Sequence, residues 1–178
     1  MNKTNTDPER QKEMKMKNMS KWKSYKLAYE HIDEAIKQGF FIEALALEES
    51  IISDRLDSAV KGKGIDTTGK TRLLGTLSEF VRANPKEFQG LHEWLAKKGL
   101  QFEDVDAWRW ERNKFVHHIA HGLPEQETPV TAEEYDERGR KAAKAGLKLA
   151  RAICDWSKSE IRALKAANKA KETSPQKG

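Results

Sequence analysis

Apolar residues along most of this chain recur at intervals of three and four, and no run of β-branched residues alternates with period two. A period near 3.6 marks a helix with one face turned to a core; a period of two marks a strand. That pattern restricts the chain to an all-α fold. Tyr25, Ala28, Tyr29, Ile32 and Ile36 trace a first helix ending at Gly39. Phe40, Phe41, Ala44, Leu45, Leu47, Ile51, Ile52, Leu56, Ala59 and Val60 trace a longer second helix, stopped by Gly62 and Gly64. Leu73, Leu74, Leu77, Phe80 and Val81 mark a third, closed by Asn84-Pro85. Phe88, Leu91, Trp94 and Leu95 mark a short fourth, ending at Gly99. Val105, Trp108, Phe115, Val116 and Ile119 mark a fifth, running to His121-Gly122. After a loop holding Pro124 and Pro129, Thr131 and Glu134 form a capping-box start for a sixth helix over 132–167. The expected architecture is an up-and-down helical bundle with long second and C-terminal helices.

A chain of 178 residues suits one domain. Only 37% of it is hydrophobic and 34% is charged, so the core must be built from few residues. Five Trp, six Phe and three Tyr argue against disorder throughout. No apolar run is long enough to span a membrane, and the N-terminal segment lacks the apolar region of a secretory signal. A single cysteine, Cys154, allows no intramolecular disulfide and no Cys-rich zinc module. The expectation is a cytoplasmic protein with no membrane contact.

The net charge of +5 is unevenly placed. Residues 1–23 and 158–178 each sum to +4, leaving −3 for the rest. The basic character therefore lies at the ends, where it can contact a nucleic-acid backbone or simply remain solvated. The domain reading is a flexible basic segment over 1–23, a helical domain over 24–167 and a disordered tail over 168–178.

Two motifs invite chemistry that their context does not support. Residues 64–71, GIDTTGKT, match the P-loop pattern, in which Lys70 would reach phosphates and Thr71 would bind Mg²⁺. A P-loop follows a buried strand, whereas Ile51, Ile52, Leu56, Ala59 and Val60 before it have helical spacing. His117, His118 and His121 form a second cluster, with His117 and His121 four apart. A metalloprotease helix needs Glu where His118 stands, and two ligands do not complete a structural site. No metal and no cofactor are expected.

The third constellation is Arg112-Asn113 followed by His117, in WRWERNKFVHH. An Arg fork suits a phosphodiester, and a His can move a proton at a ribose 2′-OH or a leaving 5′-oxygen. Five helical residues leave Arg112 and His117 about 140° apart around the axis, so long side chains would have to converge on a cleft. A carboxylate of the second helix, from the stretch holding Glu48, Glu49 and Asp54, is placed to pair with Arg112 across the bundle. Glu48 and Glu49 are therefore supporting candidates, beside Asn113 and His118.

RNKFVH resembles the R-N-x-x-x-H form of the R-x(4–6)-H motif of HEPN domains. Arg112, Asn113 and His117 carry the match, within a helical body over 24–167. Chance produces such a triplet at one spacing about 0.01 times in a chain of this composition. HEPN domains are small all-α bundles. Many are metal-independent RNases of toxin–antitoxin, abortive-infection and RNA-guided defence systems. The resemblance implies an endoribonuclease with Arg112 and His117 as catalytic residues. Its products would carry a 2′,3′-cyclic phosphate and a 5′-OH. It also implies a homodimer that joins two motifs into one site, RNA as substrate, and an antitoxin or regulatory partner. The alternative is a non-catalytic helical module that binds RNA or another protein.

Overall fold

The computed structural model describes residues 8–64, 73–121 and 131–173. They form six helices: α1 (Pro8–Gln38), α2 (Phe41–Gly62), α3 (Leu74–Ala83), α4 (Gln89–Lys97), α5 (Glu103–His121) and α6 (Ala132–Thr173). No strand occurs among the described residues. The chain is an all-α bundle. The Gly-rich run at 65–71 lies outside the described residues, but the element that leads into it is α2, a helix rather than the strand a P-loop requires.

Helix ends follow local chemistry. Gly39 adopts φ 80° and Gly99 φ 64°, a left-handed conformation that glycine tolerates without a Cβ clash. Beyond them the Phe40 amide donates to the Ala35 carbonyl at 2.8 Å, and the Leu100 amide to that of Leu95 at 3.0 Å. Each bond closes the preceding helix in a Schellman-type turn. At the start of α6 the Glu134 amide donates to Thr131 Oγ1 at 3.2 Å, and the Thr131 amide donates to Glu134 Oε2 at 3.1 Å. This is the reciprocal capping box read from the sequence.

Two boundaries differ from the sequence reading. α1 is continuous from Pro8, so it crosses residue 23 and adds about four turns before Ser24. With 31 residues it is longer than the 22-residue α2. α6 continues past 167 to Thr173 and has 42 residues. Neither extension carries the apolar spacing that marks the rest of its helix in the sequence.

The core lies between α2 and α6. Leu45, Ile52, Leu56 and Val60 of α2 meet Ala143, Leu149, Ala150 and Ile153 of α6, all buried. α6 approaches its neighbours closely because Gly139 and Gly146 stand on its inner face. A Cβ at Gly139 would collide with the Phe41 and Phe115 rings, and one at Gly146 with Glu48 and the Trp108 indole. Two tryptophans then fasten other helices to α6. Trp94 Nε1 donates to the Ala152 carbonyl and Trp108 Nε1 to that of Ala142, each at 3.0 Å. Each indole buries an apolar body while its one polar atom is satisfied.

α1 is locked to α2 by a polar cluster. Arg55, 9% exposed, lies 4.6 Å from the Tyr25 ring centroid and donates from Nε to the Tyr25 hydroxyl at 3.0 Å. The Tyr25 hydroxyl donates to Asp54, and Lys21 Nζ donates to the same carboxylate at 2.9 Å. Burial alone would raise Asp54, but its contacts with Tyr25, Lys21 and Arg55 hold it down at about 2. Asp54 is thereby committed to the α1 interface rather than to Arg112.

The Gly139 contact gives a stability prediction. Gly139→Ala forces a methyl group against two packed rings, at a cost of about 1–3 kcal/mol. The better helix propensity of Ala returns about 1 kcal/mol at most. The net result expected in a thermal melt is a lower midpoint. A higher midpoint would mean that α6 has room at this position.

Candidate functional site

α5 carries the motif, and its packing determines which side chains face inward. Trp108 and Phe115 are seven residues apart, so they share one face, and both are buried. Phe115 stacks on Tyr135 of α6 with centroids 4.5 Å apart and meets Phe41 of α2 edge-on at 6.4 Å. Arg112 lies between Trp108 and Phe115 along this stripe and turns toward α2. Its side chain is 20% exposed.

There Arg112 Nη2 forms an ion pair with Glu49. Its Nη1 donates to Asn113 Oδ1 at 2.6 Å. The carboxylate partner expected from α2 is thus Glu49. Burial lowers the Arg112 guanidinium below its ordinary value. It nevertheless stays charged at any physiological pH, because arginine starts so high. Two of its five N–H donors are engaged by these contacts, and the fork is held from both sides.

Glu48 behaves differently from its neighbour. A step of one residue turns it about 100° around α2, into the core. It is fully buried beside Trp108 and Gly146, and neither carboxyl oxygen has a hydrogen-bond partner among the described residues. Burial pushes its carboxyl up to about 9, so the side chain is a neutral acid at pH 7. Glu48 fills space between α2, α5 and α6 without a polar partner among the described residues, whereas Glu49 pairs with Arg112.

His117 is exposed, on the far side of α5 from the Trp108–Phe115 stripe. Arg112 and His117 therefore do not converge within one chain, in keeping with their separation of about 140° around the axis. Asn113 lies between them: it accepts from Arg112 on one side and stands four residues before His117 on the same face. The structure brings Arg112, Asn113 and Glu49 together and leaves His117 facing solvent. The side chains of His118 and His121 lie outside the described residues. Among the described residues no group of three His, Cys, Asp or Glu side chains is close enough to hold a metal ion.

The residues missing from the sequence reading are Gly146, which encloses Glu48 together with the core residue Trp108, and Tyr135, which stacks on Phe115. A glycine within a helical apolar pattern was the available signal for Gly146, since it marks a close approach.

No helix among the described residues is long and apolar enough to cross a membrane. Compared with known proteins, the chain matches no family model, no curated protein and no solved structure.

Proposed function

We propose that this chain is a metal-independent endoribonuclease of HEPN type. The observation that supports it best is the arrangement on α5: a guanidinium held by Glu49 and Asn113, with an exposed imidazole one turn beyond Asn113. A fixed, permanently charged fork suits the phosphoryl oxygens of a transition state. An exposed histidine is open to proton exchange with substrate.

In this reading the 2′-OH of RNA attacks the adjacent phosphorus and the 5′-oxygen leaves in line. His117 takes or gives the proton, Arg112 stabilises the developing charge, and Asn113 and Glu49 position Arg112. In an in-line displacement the proton is taken on one side of the phosphorus and given on the opposite side, and His117 alone does not reach both. A homodimer with two copies of α5 facing one cleft would supply both groups. A cytoplasmic role in phage defence or a toxin–antitoxin pair, with an antitoxin or other regulator as partner, completes the proposal.

The Arg112–Glu49 ion pair also favours a second reading. It serves equally as a tie between α2 and α5 in a non-catalytic helical module that binds RNA or protein. A gel separates the two. Wild-type protein incubated with mixed RNA in EDTA is expected to give fragments ending in 2′,3′-cyclic phosphate and 5′-OH. DNA, which lacks the 2′-OH, is expected to remain intact. Intact RNA under these conditions supports the non-catalytic module.

A further inference from the structure

Trp110 is the one large apolar side chain exposed on α5 among the described residues, at 62%. Its neighbours on that face are Asn113, Lys114 and His117, which follow at three, four and seven residues, and Ala107, Asp106 and Glu103, which precede it at the same intervals, Asp106 being paired with Arg82 and Arg109. Lys114 Nζ sits 5.2 Å from the Trp110 ring centroid, and its side chain is 49% exposed. Glu111 reaches Lys114 at 3.7 Å but points about 100° away from Trp110 around the helix. The exposed face thus offers an aromatic plane with a cation over one side of it, and an imidazole about 10 Å further along the axis.

We infer that Trp110 is a stacking platform for an unpaired base of single-stranded RNA, with Lys114 facing the adjoining phosphate. Aromatic planes beside cations hold single strands in this way, because every base has a π-face and every nucleotide a charge. A duplex keeps its bases stacked inside and offers none to Trp110. A protein partner suits this face less well. Stable interfaces bury about 800 Å² on each side around an apolar centre, and an indole flanked on its helix by Asp106, Asn113, Lys114 and His117 supplies no such centre. The inference rests on the RNA-cleaving reading for its choice of ligand. It adds that the site takes single strands and that a base about 10 Å from His117 along the helix axis positions the backbone.

Binding is measured apart from cleavage, with the full chain and a fluorescein-labelled 2′-O-methyl RNA 10-mer, which has no 2′-OH to attack. Trp110→Ala is expected to weaken single-strand binding by about 5- to 150-fold, the range of one base–aromatic stack. Trp110→Phe is expected to retain most of the affinity. The matched duplex is expected to bind equally to all three proteins. Equal single-strand affinity of wild type and Trp110→Ala overturns the inference, as does failure of the wild type to bind. If Trp110→Ala is a monomer where the wild type is a dimer, the face is a self-interface and the inference also falls. If the wild type binds through Trp110 yet leaves unmodified RNA intact, the stacking site stands and the nuclease reading fails.

Discussion

Replacing His117 by Ala is expected to slow RNA cleavage by about 10²–10⁴, the usual contribution of a positioned proton donor or acceptor. The side chain is exposed, so the thermal midpoint should stay where it is. Arg112→Ala is expected to cost about 10²–10³ in rate through lost stabilisation of the phosphoryl charge. It also strands Glu49 in a partly buried position and should lower stability. Arg112→Lys separates these roles. Lysine keeps a charge opposite Glu49 and so keeps most of the stability, but a point charge does not reproduce the fork, and the rate should stay low. Single-turnover cleavage and melts of all three variants check this. Full activity in Arg112→Lys together with full activity in His117→Ala would reduce the motif to an interhelical tie.

Glu48→Gln is expected to change how stability depends on pH. The folded carboxyl is held at about 9 by burial, against an ordinary value of 4.5. Between these values the unfolded chain has released the proton and the folded chain retains it. Folding therefore binds a proton, and stability falls as pH rises through this window, by up to about 1.4 kcal/mol per pH unit. Below pH 4.5 both states are protonated and the group makes no demand. From pH 5.5 to 8.5 the loss reaches as much as about 4 kcal/mol. An amide of the same shape does not ionise and removes that slope. Urea titrations at pH 5.5, 7 and 8.5 should show the variant gaining on the wild type at each step. Parallel curves would mean that the Glu48 carboxyl reaches water.

The sequence disclosed those parts of the fold in which side chains alternate between core and solvent. α2 through α5 were bounded to within a few residues because Gly64, Asn84-Pro85 and Gly99 punctuate apolar stripes. The first four turns of α1 were not legible as helix. Lys12, Met14, Lys15, Met16 and Lys17 carry no apolar period for a helix to be read from. Within the site, Arg112 announced itself through its spacing to His117, and a carboxylate partner on α2 followed from complementarity. Which of two adjacent glutamates would serve was hidden, because a pair of charged residues reads as a solvated surface until the 100° step of the helix is fixed by its neighbours. Gly146, which makes space for Glu48, depends on contacts with Trp108 and Glu48, both distant in sequence.

The length of α6 has a hydrodynamic consequence. Its 42 residues extend about 63 Å, whereas a compact chain of this size has a radius of gyration of about 16 Å and a diameter near 40 Å. Together with α1, whose 31 residues extend about 46 Å, it makes the molecule longer than a sphere of its mass and increases its drag. In gel filtration a monomer of 20.3 kDa is expected to elute ahead of globular standards of its own mass, towards the position of a compact dimer. Elution volume alone thus overstates association. The homodimer that two-histidine chemistry calls for has to be weighed directly, by sedimentation equilibrium or light scattering, where shape cancels and a dimer registers at about 41 kDa.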